Sequence, residues 1–173
     1  MKKRVLRATL VPGLALVLLA LVCLLLGTSA ALADDTGWND PSANAIDSGG
    51  GFISPTYAYH NDTDRASLSS LAGVAGHIYS GYGLNVPDCA TIDGIEVRLD
   101  YWISEDTDAT TVTVELYNHT DGSWTAAEID TSRPLTETTV LFGGSTDKWG
   151  TTWTPTDTND SDFQVRVICD TDG

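Results

Sequence analysis

The chain has 173 residues and carries 9 Lys and Arg against 24 Asp and Glu, a formal net charge of −15. So acidic a surface argues against nucleic acid and anionic membrane as partners, because binding either requires basic residues to displace counterions. It suits cations, basic partners or a saline medium, and it also keeps an exported protein soluble.

Lys2, Lys3, Arg4 and Arg7 open the chain, an apolar run from Leu14 to Leu26 follows, and Ala31-Leu32-Ala33 supplies a small-residue cleavage site. This is the pattern of a secretory signal peptide over 1–33, with Ala31 and Ala33 marking cleavage. An uncleaved anchor is the rival reading, and the small-residue site directly before Asp34-Asp35 favours cleavage. Cys23 lies inside the apolar run with Val22 before it, which does not fit a lipoprotein site. Loss of the four basic residues of this segment leaves five Lys and Arg against 24 Asp and Glu, a net of −19 on residues 34–173. The expected address is secreted, extracellular or cell-surface, with no membrane attachment after cleavage. The remaining length is that of one domain with a sizeable core.

Residues 34–51 read as a polar, glycine-rich leader loop, with Trp38, Asp40-Pro41 and Gly49-Gly50-Gly51, ahead of a domain over 52–173. A short strand is expected over Phe52–Tyr59. In Asn61–Gly76 the spacing of Leu68, Leu71 and Val74 allows one or two helical turns, an insertion lying on the domain. His77–Val86 alternates, with Ile78, Ser80, Tyr82, Leu84 and Val86 in one phase, and Pro87 ends it because proline cannot donate to a ladder. Ala90–Ser104 carries the strongest pattern in the chain. Ile95, Val97, Leu99, Tyr101 and Ile103 alternate with Glu96, Arg98, Asp100 and Trp102, which predicts a half-buried strand at the centre of the fold.

Glu105–Ala109 is an acidic turn, and Thr110–Tyr117 is a strand with Val112, Val114 and Leu116 inward. Asp121-Gly122 marks a turn, with short strands over Trp124–Ile129 and Thr138–Phe142. Trp149 and Trp153, with Gly150 between them, read as a structural corner, and Phe163–Cys169 is the last strand. Seven or eight short strands without a long helix predict an all-β, two-sheet antiparallel β-sandwich. Asp170-Thr171-Asp172-Gly173 is a hairpin-type turn with no strand after it. Two readings stay open: a fragment lacking its final strand, or a C-terminal sheet edge completed by another chain through strand addition.

Several residues are candidates for chemistry. Cys89 and Cys169 suggest one disulfide in an exported protein. It would close a loop of about eighty residues, worth roughly 4 kcal/mol in the chain-entropy model, the alternative being two separate thiols. Asp157, Asn159, Asp160 and Asp162 place oxygen ligands at near-alternate positions, as calcium loops do, but without the glycine and glutamate of an EF-hand. Ca²⁺ is therefore the one cofactor considered, with Glu105-Asp106-x-Asp108 and Asp62-x-Asp64 as similar acidic loops and solvated turns as the alternative. Trp102, Tyr117 and Trp124 are candidate stacking platforms for a sugar ring. Pairing of the two strongest strands with Arg98 opposite Glu115 would set Trp102 and Tyr117 at opposite ends of one face.

Three sequons, at Asn61, Asn118 and Asn159, fall in expected loops as glycosylation acceptors. His60, His77 and His119 have no metal-ligand spacing, and there is no nucleophile elbow or phosphate loop. No catalytic residue is assigned.

Gly81-Tyr82-Gly83-Leu84-Asn85-Val86-Pro87, Ala90–Val97, Gly143–Thr154 and Phe163–Val167 together resemble a module that recurs in secreted bacterial, archaeal and phage-associated surface proteins. The resemblance covers roughly Gly37 to the end. It implies a jelly-roll sandwich, mostly without assigned activity. Cys89 stands where that module would carry a glycine or similar turn residue, and the module's closing strand is missing here.

The expected function is a secreted or cell-surface structural or adhesive module without catalysis, with a glycan or another surface protein as partner. A carbohydrate-binding module using the exposed aromatics is the alternative, and part of a larger glycan-active enzyme comes third.

Overall fold

Alternation of apolar side chains builds two antiparallel layers in the computed structural model, which describes residues 35–60, 62–68, 73–103 and 110–171. In chain order the strands are β1 (Ala43–Ser48), β2 (Val74–Ser80), β3 (Glu96–Tyr101), β4 (Thr111–Asn118), β5 (Ser123–Trp124), β6 (Glu128–Asp130), β7 (Thr138–Gly143) and β8 (Gln164–Asp170). A 3₁₀ turn at Pro55–Ala58 and one short helix, α1 (Pro155–Asn159), complete the elements. The larger sheet runs β1-β2-β8-β4-β5, with β6 also paired to β4, and β3 pairs with β7 in the smaller. The fold is thus an all-β sandwich, as the strand pattern predicts.

β4 alternates without a break: Val112, Val114 and Leu116 are buried between half-buried Thr113, Glu115 and Tyr117. Val114 and Leu116 are sealed from solvent, and each contributes about 1.5–3 kcal/mol by burial. Phe163, Val165 and Val167 lead into β8 and face the same core, with Tyr79, Ile92, Phe142, Trp149 and Trp153. The smaller sheet presents Val97, Leu99, Tyr101 and Val140 to this core. Val97 lies opposite Phe142 and Leu99 opposite Val140, so the inward phase expected for this strand holds. The Tyr101 hydroxyl donates to Asp130 on β6 and ties the two layers together.

Five sequence expectations change. The Ala90–Ser104 strand is not central; it forms β3 in the two-stranded layer, and β8 and β4 occupy the middle of the large sheet. The leader loop holds a real strand, because β1 pairs with β2 from Ala43 opposite Ser80. Its Ile46 is 63% exposed although it lies opposite His77, and the strand carries no alternating apolar signal. Phe52–Tyr59 makes only an isolated bridge, Ile53 to Ser67, followed by the 3₁₀ turn, where Pro55 sets the backbone. In the next strand the phase is reversed: Ala75, His77 and Tyr79 are buried and Ile78 lies on the other face. At Gly81, with φ +75°, the chain leaves the ladder, and Tyr82, Leu84 and Val86 regain the core from an irregular segment. Val74, expected in a helical turn, opens β2, and Leu71 lies outside the described residues.

β8 is flanked by β2 on one side and β4 on the other. The last described strand is therefore interior to the sheet and not the C-terminal edge that the sequence suggests. The signal segment, with Ala31 and Ala33, lies outside the described residues. Among the described residues no helix is long and apolar enough to cross a membrane.

Candidate functional site

The end of β4 gathers most of the polar side chains that the sequence singles out. The turn 119–122 reverses the chain into β5, with the Gly122 N–H on Asn118 O at 2.9 Å and Gly122 at φ +62°. Asn118 is buried; its Nδ2 donates to Thr152 O at 3.1 Å and its Oδ1 accepts from Asp121 N at 2.9 Å. Thr151 Oγ1 donates to Asp121 Oδ2 at 2.7 Å. These bonds lace the turn to the Trp149–Thr154 segment, itself anchored by Trp149 Nε1 on Ile95 O and Trp153 Nε1 on Lys148 O. A cavity of about 220 Å³ opens between them, lined by Asn118, Asp121, Ser123, Trp124 and Thr151 over a floor that includes Trp149.

The four residues of the calcium expectation serve different purposes. Thr154-Pro155-Thr156-Asp157 is a capping box with proline at the first turn of α1. Asp157 is buried, and its Oδ2 accepts from Thr154 N at 2.8 Å and Thr154 Oγ1 at 2.6 Å. Its Oδ1 accepts from Thr120 N at 3.2 Å and from the Thr120 hydroxyl. Burial pushes this carboxyl up, but the bonds from Thr120 and Thr154 outweigh it and hold the pKa below the usual aspartate value. Asn159 turns away to clasp Val86, accepting from its N–H at 2.8 Å and donating to its carbonyl at 2.7 Å. Both side chains are engaged in holding the fold.

Asp160 and Asp162 stand instead beside His119, which sequence spacing does not connect to them. His119 Nδ1 is 3.9 Å from Asp160 Oδ1 and 3.6 Å from Asp162 Oδ2. These three could hold a metal, since their ligand atoms lie within 4.8 Å of one another. One imidazole nitrogen with two carboxylates suits zinc-type ions better than calcium, which prefers an all-oxygen shell. Glu105, Asp106 and Asp108 lie outside the described residues, and Asp62 closes a local turn on Asp64 N.

The aromatics fall on different sheets. Trp102 follows β3 and is 41% exposed, with the Arg65 guanidinium over its ring at 5.6 Å. Arg65 is held there by both oxygens of Glu137 at 2.9 Å, so the segment after residue 61 does reach over this face. Tyr117 and Trp124 face each other across β4 and β5, their rings edge to face at 5.3 Å. Arg166 covers the Trp124 ring at 4.2 Å while it binds Glu115 at 2.5 Å and Asp47 at 3.3 Å. The expected Arg98–Glu115 pairing does not form. β3 pairs with β7, Arg98 bonds Asp100 at 2.8 Å, and Arg166 of β8 lies opposite Glu115.

The two thiols are not bridged. Cys89 is exposed in a loop whose nearby Val86 is tied to Asn159, just before β8 starts, whereas Cys169 sits near the far end of that strand. The strand rise alone carries Cys169 about 17 Å along from Gln164, well beyond disulfide reach of that end. Burial pushes the Cys169 thiol up to about 11. Two sequons also lose their expected role, since Asn118 is sealed in the fold and Asn159 holds Val86; Asn61 lies outside the described residues. No family model matches this chain, and neither the curated proteins nor the solved structures contain a match to it.

Proposed function

We propose that this chain is a non-catalytic adhesive module exported to the cell exterior, and that it holds its ligand at the loop end around Asp121 and Thr151. The observation that carries this reading is the contrast between that end and the sheet faces. Trp102 and Trp124 each have an arginine over the ring, which removes a face a sugar would stack on. The loop end keeps an open cavity rimmed by the Asp121 carboxylate and the Ser123 and Thr151 hydroxyls. At about 220 Å³ it is smaller than the ~300–1,000 Å³ of pockets for drug-sized ligands, a size that suits one ring of a polyhydroxylated ligand such as the end of a glycan. The signal-peptide pattern over 1–33 and the resemblance to secreted sandwich modules support export.

A glycan panel tests the reading with two variants. Ser123→Trp fills the cavity and is expected to abolish binding, while Trp102→Ala leaves it intact. Binding lost only in Trp102→Ala would move the site to the β3 face. Absence of binding to any glycan would retire the carbohydrate reading.

A further inference from the structure

β2 places a histidine where the strand pattern calls for an apolar residue. His77 lies opposite Ile46 of β1 and Val167 of β8, and its side chain is 1% exposed. Both ring nitrogens are used. Nδ1 accepts from the backbone N–H of Phe52 at 3.2 Å, which leaves the proton on Nε2, 2.8 Å from Asn44 Oδ1. Asn44 passes the network on, its Nδ2 donating to the Tyr59 hydroxyl at 2.5 Å. Phe52 stacks on the ring at 5.5 Å and 15°, and the Tyr79 ring lies 5.3 Å away. Gly51, at φ +68°, brings the loop so close that a Cβ there would stand 2.7 Å from Nδ1. One neutral imidazole therefore gathers β1, the loop after it and the 3₁₀ turn.

The groups facing the ring are Asn44 and Ile46 from β1, Gly51 and Phe52 from the loop, Tyr79 from β2 and Val167 from β8, with Tyr59 behind Asn44. Cys169 lies two residues further along β8, opposite Ala75. The titratable groups among these are two phenols and a thiol. The nearest carboxylate on β1, Asp47, is turned to Arg166 at 3.3 Å. A charged imidazole would find no anionic partner among these groups.

We propose that His77 is an acid-operated latch: a proton from solvent on Nδ1 replaces the acceptor that Phe52 N–H requires, and residues 43–59 then come away from β2 while the rest of the sandwich stays folded. The geometry supplies both halves of this device. Protonation turns Nδ1 into a donor pointed at another donor, and β1 is an edge strand whose one ladder partner among the described strands is β2, with Asp47 tied to Arg166 as its link to β8. The sign follows from linkage. Burial lowers the His77 pKa below 6.5, so its stabilising contribution is complete above about pH 6.5 and declines as the pH falls toward the folded value.

Hydrogen exchange read by mass spectrometry, corrected for intrinsic rates, tests this at about pH 7 and about pH 5. Peptides covering 43–59 are expected to exchange about tenfold faster at the lower pH, with β4 and β8 unchanged. His77→Gln, which keeps a neutral donor and acceptor, is expected to abolish the difference. Unchanged protection over 43–59, or simultaneous loss in β4 and β8, would overturn the latch. Should His77→Gln not fold, NMR titration of the wild-type ring decides instead. Ring protonation must coincide with the opening of 43–59, and a ring that titrates without opening refutes the proposal.

Discussion

Replacing Asp157 with alanine removes one carboxylate that four donors share. Two of them, Thr120 N and Thr154 N, are backbone groups that cannot rotate to find another partner. Bonds to a charged acceptor are worth about 1.5–3 kcal/mol each, but four bonds to one group do not add, and water reaches part of the opened site. A buried donor left unpaired costs about 1–3 kcal/mol, so two of them set the expected loss at about 3–4 kcal/mol, or roughly 10 °C in Tm for a domain of this size. Asp157→Asn is expected to lose less, about 2 kcal/mol, because its carbonyl still serves one threonine while its amide opposes the other backbone N–H. Urea denaturation followed by circular dichroism measures both, with Asp160→Ala as a control. The wild type is expected to lose this contribution only below about pH 4, where the pH falls through the lowered folded pKa. A change under about 0.5 kcal/mol in Asp157→Ala would refute the assignment of Asp157 as the clasp between α1 and the β4–β5 turn.

Arg166→Met leaves Glu115 and Asp47 half-buried without their cation, and should cost about 2–4 kcal/mol in urea unfolding. Tyr79→Phe removes a buried hydroxyl that has no hydrogen-bond partner among the described residues, so thermal melting should show no loss, and up to about 1 kcal/mol of gain. Thiol titration without reductant should label Cys89 at once and Cys169 only on unfolding. Two silent thiols that appear after reduction would establish the bridge instead.

Side chains whose environment is set locally were legible in the sequence. β4 and β8 announce themselves because Val112, Val114 and Leu116, and Phe163, Val165 and Val167, alternate against a single core. The corner made by Trp149 and Trp153 was equally readable, since Gly150, at φ +74°, separates two rings too large to leave exposed. Strand neighbours were not readable. Arg98 and Arg166 each offer a charge for Glu115, and only the order of the strands decides between them. β1 was hidden because an edge strand held by backbone bonds needs no apolar face. At the loop end one pattern served two meanings. Threonine followed three residues later by aspartate is a helix-start signal, and the same aspartate with Asn159 mimics a cation loop. The partner that decides is Thr120, on another hairpin. His119 joined Asp160 and Asp162 for the same reason, through a turn that no local spacing reveals.

The position of β8 sets the order in which this chain can fold. Synthesis delivers β1–β2 and β4–β6 before β8, and Tyr79 and Leu116 acquire their shared neighbour Val165 only when β8 has been made. Neither half can close the large sheet before β8 is present, because β8 joins β2 to β4 through its middle. Pairings that span most of the sequence make such folding slow, on the order of milliseconds to seconds.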